Sequence, residues 1–330
     1  MTERRTYRQG RYVYLLDDND HTAWIQSGHI GRCKSYHIPS YVDIDGVRYT
    51  ITSIELGAYK CPRTLQHLIF PDTIEYIDED EFCCLPNLRS VHIGKGVQYL
   101  LNWHFRECPH LHTITIDKGN PHLKVQEGLV LTQDGTVLLR SLFKRKELHI
   151  PEGVKYVEKV AFWYDDKLEN ITFPSSLREI SDNSFSHLPK LKGIVIPEGL
   201  EKLIVQCFMG CENLELLDLP STLHLLGWET FEGCKNLTKL ILRPDHVIAY
   251  SARTHEFYPY GTCRLYVPVE VLMEYRKDKF WGKFKHILPI LDGGRIDGEI
   301  PDVSDYVSCV SYANDAFVKS HVINNMKNEV

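Results

Sequence analysis

Apolar positions recur along most of this chain in a fixed frame that is not helical. Seven aromatics anchor it: Tyr59, Phe82, Phe105, Phe162, Phe185, Phe208 and Phe231. Their positions step by 23, 23, 57, 23, 23 and 23, and the step of 57 is one repeat plus 34. Five residues before each aromatic stands an aliphatic, from Ile54 and Ile77 to Leu203 and Leu226. Six residues after it stands a leucine, from Leu65 and Leu88 to Leu214 and Leu237. An alternating pair follows, as in Leu68/Phe70-Pro71, Ile171/Phe173-Pro174 and Ile194/Ile196-Pro197.

Alternation over a few residues marks a short, half-buried strand. The L-x-x-h-x-h stretch therefore predicts one strand per repeat, its h residues inward, and proline after it stops the ladder. A single coil of this length cannot bury its own face, but stacked coils can. Stacking predicts a parallel ladder advancing about 4.8 Å per coil. Tyr36-His37-Ile38-Pro39, Leu148-His149-Ile150-Pro151 and Leu265-Tyr266-Val267-Pro268 add rungs without the full motif. About ten rungs give an array roughly 45 Å long.

The frame resembles the BspA-like leucine-rich repeat family. Phe208-Met-Gly-Cys211-Glu-Asn-Leu214 and Phe231-Glu-Gly-Cys234-Lys-Asn-Leu237 carry the resemblance most closely, and it covers about residues 10–290. Gly46-Val-Arg-Tyr49-Thr-Ile51-Thr-Ser-Ile54 resembles the family's lead into its first coil. Leu265-Tyr-Val-Pro268 with Tyr275, Trp281, Phe284 and Ile287 resembles its C-terminal cap. The resemblance implies an α/β-type repeat solenoid and a non-enzymatic interaction protein. Family members are described as bacterial adhesins and interaction proteins, often on the surface of gut and oral anaerobes. That implies an unknown protein partner, with a host matrix protein or glycan as the alternative.

The expected organisation is a capping hairpin and lead-in strand over 1–50, a solenoid over 51–268, a cap over 269–290 and an acidic tail over 291–330. In the first part, Arg11–Leu16 and His21–Ile25 flank Asp17-Asp-Asn-Asp20, which reads as a hairpin. A second hairpin, at Gln133-Asp134-Gly135-Thr136, is expected within an insertion at about 117–147. Leu272, Tyr275, Phe280 and Phe284 lie at near-helical spacing and predict a helix over the last coil. The tail has 7 acidic and 3 basic residues. Its stripe of Val303, Tyr306, Val307, Val310 and Phe317 fits a helix packed on the array, a helix for a partner, or a disordered tail.

Composition narrows the picture. The 330 residues are 43% hydrophobic and 25% charged, which excludes wholesale disorder. A net charge of -6 argues against a generic binder of nucleic acid or anionic membrane. No apolar run is long enough for a membrane span. Met1–Gly10 has no apolar stretch after its positive charges, so the chain as written is expected in the cytoplasm with its ten cysteines reduced. The resemblance implies instead the cell surface or secretion.

Candidate chemistry is sparse. Cys108, Cys211 and Cys234 follow the aromatic by three residues and read as small buried residues of one column. Cys83-Cys84 reads as packing. Cys108, His110 and His112 with nearby His104 form a cluster whose cysteine is expected inward, so no metal site is expected. There is no H-E-x-x-H, C-x-x-C, G-x-S-x-G or Walker loop, and no catalytic residue or cofactor is expected.

The remaining candidate is surface. On each strand the residue between the two inward ones faces out: His37, Ile69, His92, Thr115, His149, Thr172, Val195, Asp218, Ile241 and Tyr266. Two residues before lies a second column, from His67, Ser90 and Thr113 to Leu216 and Lys239. Val195, Leu216, Ile241 and Tyr266 are expected to form an exposed apolar patch for ligand contact. Tyr76, Tyr99 and Tyr156 form a third column, equally consistent with edge packing.

Overall fold

The computed structural model describes residues 4–55, 61–78, 81–100, 104–105, 107–142, 144–250 and 259–291. The chain divides into two compact units, Met1–Phe143 and Lys144–Val330.

The first unit opens on an antiparallel meander of β1 (Arg5–Gln9), β2 (Tyr12–Asp17) and β3 (Thr22–Gly28). After β4 (Ser35–His37), strands β5 (Tyr41–Ile44) and β6 (Val47–Ile54) form a hairpin. Its turn is Asp45-Gly46, with φ of 51° and 82°. Two central residues at positive φ match the right-handed twist of the flanking strands. β6 lies parallel to β3, so this meander covers the start of the array. Then come β7 (His67–Ile69), the two-residue β8 (Tyr76–Ile77), β9 (Ser90–Ile93) and β10 (Thr113–Ile116). Strands β4, β7, β9 and β10 make one parallel sheet, with His67, Ser90 and Thr113 side by side.

The expected hairpin at Asp134 is present and has a companion. β11 (Leu123–Gln126), β12 (Leu129–Thr132) and β13 (Val137–Ser141) form an antiparallel meander. The extra turn is Glu127-Gly128, with φ of 51° and 74°. Asp134 Oδ1 accepts hydrogen bonds from Thr132 Oγ1, Thr136 N and Thr136 Oγ1.

The second unit runs two parallel ladders. One holds β14 (Glu147–His149) beside β16 (Asn170–Thr172), and β18 (Gly193–Val195), β20 (Leu216–Leu219) and β22 (Lys239–Leu242) continue the array. The other is made of two-residue strands: β15 (Tyr156–Val157), β17 (Glu179–Ile180), β19 (Lys202–Leu203) and β21 (Leu225–Leu226). This second ladder holds the aliphatic that precedes each aromatic, and the alternation pattern is too short there to announce it.

Each coil closes through left-handed turns. Two residues before the aromatic stand Val160, Asn183, Gln206 and Glu229, with φ between 54° and 58°. Two residues after it stand Tyr164, His187, Gly210 and Gly233, again at positive φ. In the first unit Cys84 and Glu107 occupy that second position. Between these turns the aromatics stack inward: Phe162 on Phe185 at 4.9 Å and Phe185 on Phe208 at 5.8 Å. All the described column aromatics, Phe82 to Phe231, are buried, while Tyr59 lies outside the described residues. Burying one such ring contributes about 1.5–3 kcal/mol, which is why the column sets the fold.

The cap differs from a single continuous helix. β23 (Arg264–Pro268) leads through a 3-10 turn into α1 (Leu272–Lys277), only six residues long. Asp278 is extended and its Oδ1 accepts Phe280 N and Trp281 N, starting a second 3-10 turn. A carboxylate bonded to those amides competes with helix continuation. Tyr275, Phe280, Trp281 and Phe284 are buried as expected of a cap. Trp281 stacks on Phe231 at 6.3 Å, and its Nε1 donates to Ile248 O. β24 (His286–Ile290) then adds a further parallel rung beside β23. The tail expectations beyond Leu291 lie outside the described residues.

Candidate interaction surface

Parallel pairing fixes the outer columns in register. In the first unit Ser35, His67, Ser90 and Thr113 form one row across the sheet. His37, Ile69, His92 and Thr115 form the next. The rings bond to hydroxyls one coil on: His67 Nδ1 with Ser90 Oγ at 2.7 Å, and His92 Nδ1 with Thr115 Oγ1 at 3.0 Å. In the second unit His149 Nδ1 meets Thr172 Oγ1 at 3.1 Å in the same way. Tyr76 and Tyr99 stand out from the first unit at 53% and 56% exposure, and Tyr156 from the second, so that column is surface.

The patch expected around Leu216 needs correction. Leu216 is 4% exposed, and Ile241 and Tyr266 are fully buried. They form a small core of their own, with Val195, Leu288 and Ile290 packed against it. Ile241 and Tyr266 are register partners, as are Tyr266 and Leu288, so the four do come together. They do so under cover, and do not form the expected exposed surface. The physical reason lies in the two-sided strands: all four residues of β20 are buried. Unbroken apolar runs such as Leu216-Leu217 and Leu240-Ile241-Leu242 mark strands covered on both faces. That signal is present in the sequence, superposed on the alternation.

On the same side of the sheet lies a charged pair. Arg243 Nε and a terminal nitrogen donate to the two oxygens of Asp218, both at 2.7 Å. The Asp218 side chain is nearly buried. Burial works against the Arg243 cation, but Asp218 more than offsets this and holds the guanidinium above its ordinary proton affinity.

The cysteine column follows one rule. Cys108, Cys211 and Cys234 each donate Sγ–H to the carbonyl of the aromatic 26 residues earlier: Phe82, Phe185 and Phe208, at 3.4, 3.2 and 3.2 Å. Burial pushes the Cys211 thiol up to about 12. His104 turns away from this cluster: it is buried, with Nε2 on Ile77 O. His110 and His112 are exposed. Among the described residues no group of three or more His, Cys, Asp or Glu is placed to hold a metal. A pocket of about 320 Å³ in the cap has Arg276, Phe284, Lys285 and His286 in its lining, which includes no carboxylate, hydroxyl or thiol.

The repeat geometry has a counterpart among known families. The model of the BspA type leucine rich repeat region matches six copies, over residues 43–126 and 140–252. The chain belongs to this family. Its fold is similar to that of pneumococcal vaccine antigen PcpA, at 15% identity over 86% of this chain and 98% of that one, with a TM-score of 0.53. It is also similar to a leucine-rich repeat protein from Bacteroides ovatus, at 19% identity over 86% and 76%, with a TM-score of 0.50. No curated protein sequence matches the chain. In this BspA-type array, the Phe-x-x-Cys motif is the aromatic column and its thiol-to-carbonyl bond.

Proposed function

We propose that this BspA-type array is a non-enzymatic protein-interaction module. The observation that carries this reading is the register: strands one coil apart hold their outer side chains side by side on a rigid ladder. Side chains already ordered lose little conformational entropy on binding. Display at a bacterial cell surface, where the partner is a host matrix protein, belongs to this reading. The fold it shares with a pneumococcal vaccine antigen is in keeping with it.

The test is affinity capture with the full chain, identification of the partner, and titration of the purified partner against face variants. Glu147→Arg and Asn170→Arg, register partners on adjacent strands of the second unit, leave the core untouched. One of them should weaken the partner by about 2 kcal/mol if it sits at a hot spot. A partner that binds both variants as tightly as the parent removes this face from the reading. Protease treatment of intact cells decides display: a surface chain is digested and a cytoplasmic one is spared.

A further inference from the structure

Three imidazoles share one open face of the first unit, and a fourth stands at its end. His37 and His92 stand in one row of the sheet, and His67 stands in the row beside it. His112 stands just before β10 and bonds Thr113 Oγ1 through Nδ1 at 2.9 Å. His67 and His92 are likewise tied through Nδ1 to hydroxyls one coil on. The Nε2 atoms of His67, His92 and His112 have no partner among the described residues. The two rows contain no carboxylate, and their one aliphatic is Ile69.

We propose that this face binds an anionic polysaccharide, and binds it more tightly as pH falls. Histidine is the side chain that changes charge between about pH 5 and 8. A serine or threonine oxygen accepts from a protonated ring as readily as its hydroxyl donates to a neutral one. Protonation therefore keeps the Nδ1 bond and leaves Nε2–H as a charged donor. The surroundings favour an anion. Lys34, Arg89 and His112 line one end of the sheet, where Gln66 N bonds Lys34 O and His112 N bonds Arg89 O. Arg63 and His110 stand exposed on the preceding turns. At the opposite end Asp72, which also lies in the field of the His92 ring, is paired with Lys95 at 2.9 Å, and the same lysine attracts Asp117.

The polymer is favoured over a folded protein for two reasons. Protein interfaces centre on desolvated aromatic, Arg or aliphatic anchors, and this face offers only Ile69. The sheet repeats imidazole and hydroxyl at about 4.8 Å per coil, which suits a linear polymer with regularly spaced acidic groups. This inference does not depend on the protein partner proposed above.

The experiment titrates the full chain with heparin, polygalacturonate, neutral dextran and polyglutamate at pH 7.5 and 5.5, at one ionic strength. Heparin or polygalacturonate should bind about tenfold tighter at pH 5.5, the gain expected of three exposed charge pairs. Whichever of the two responds more distinguishes sulfate from carboxylate recognition. The triple variant His37→Gln, His67→Gln, His92→Gln should melt like the parent and lose that gain. If the triple variant is unfolded, His67→Gln and His92→Gln measured singly should each reduce it. Lys34→Gln should weaken binding equally at both pH values. The proposal is overturned by pH-independent binding, by a pH gain that survives the histidine variants, or by equal binding of dextran. An equal pH gain with polyglutamate also overturns it, since the face would then read charge on a peptide.

Discussion

Asn183 donates its side-chain amide to Gln206 Oε1 at 3.0 Å, from the equivalent left-handed position one coil before it. Gln206 Nε2 donates onward to Glu229 Oε2. These residues sit where the coil turns toward its aromatic, and the first coil of the unit has Val160 there. Non-glycine residues in this conformation cost about 1–2 kcal/mol, least for asparagine. The side-chain ladder offsets that strain.

Substitution at Gln206 separates the two effects. Gln206→Asn keeps a polar side chain and suits the backbone, so it should change stability by less than about 1 kcal/mol. Gln206→Val loses both hydrogen bonds and adds a β-branched side chain at positive φ, so it should cost about 2–3 kcal/mol. Urea unfolding of the three proteins gives the comparison, and equal costs for Asn and Val would dismiss the ladder.

Phe208→Ala should cost about 3–5 kcal/mol, from lost transfer energy and the cavity left between neighbouring coils. Phe208 is fully buried against Phe185. A loss below about 1 kcal/mol in the same assay would mean the column collapses freely around the gap, contrary to a close-packed core.

The buried thiols should be inert. Cys211 and Cys234 are free, buried and bonded to carbonyls. Only a thiolate attacks an alkylating agent, and burial holds both as thiols. Iodoacetamide should label them only after unfolding, and reductant should leave the melting temperature unchanged. Labelling in the native state, or a melting temperature that drops with reductant, contradicts the packing role.

His187 makes the second unit sensitive to mild acid. Its ring stacks on Tyr164 at 4.5 Å, and its buried Nδ1 has no hydrogen-bond partner among the described residues. Burial lowers its proton affinity, and Glu212 only partly restores it. The unfolded ring keeps the ordinary value, so unfolding takes up a proton as pH falls. Stability is unaffected above about pH 6.5, the unfolded value, and falls from there until pH reaches the lowered folded value. Between pH 7.5 and 5.5 the parent should lose more stability than His187→Asn, a residue that tolerates this backbone. Parallel losses in the two proteins would exclude His187 as the group responsible.

Breaking the Asp218–Arg243 pair should be severe. Arg243→Ala leaves a nearly buried carboxylate without its partner, at a cost of about 3–5 kcal/mol. The double variant Asp218→Leu, Arg243→Met removes both charges and should recover most of that loss. A double variant as unstable as the single one would show that the pair orders its surroundings as well as neutralising charge.

The repeat was legible because three columns, aliphatic, aromatic and leucine, each enforce burial once per coil. Phe208, Leu214 and Leu217 occupy the interior positions that spacing assigns them. The site was less legible. Alternation assigns Ile241 and Tyr266 to an outer face correctly but is silent on whether that face is covered. Their neighbours include Leu288 and Ile290 of β24, a strand outside the repeat. The αL turns carry little signature because Asn, Gln, Glu, Val, Tyr and His all occupy them, and only Gly210 and Gly233 announce positive φ. At Gly210 even a Cβ would come within 2.9 Å of the His187 ring, so that glycine answers to packing as well.

Because the Asn183–Gln206–Glu229 ladder, the phenylalanine stacks and the thiol-to-carbonyl bonds each join neighbouring coils, the second unit can be edited in whole coils. Excising residues 184–206 would place Asn183 where Gln206 stood, opposite Glu229, a carboxylate able to accept its amide. Phe162 would then meet Phe208, and the ladder would close one rung shorter with its chemistry intact. A cut shorter or longer by a single position would instead turn every inward side chain of the following strand outward. Length is thus quantised in this molecule, and insertion or loss of genetic material in multiples of one coil is the change its architecture absorbs most easily.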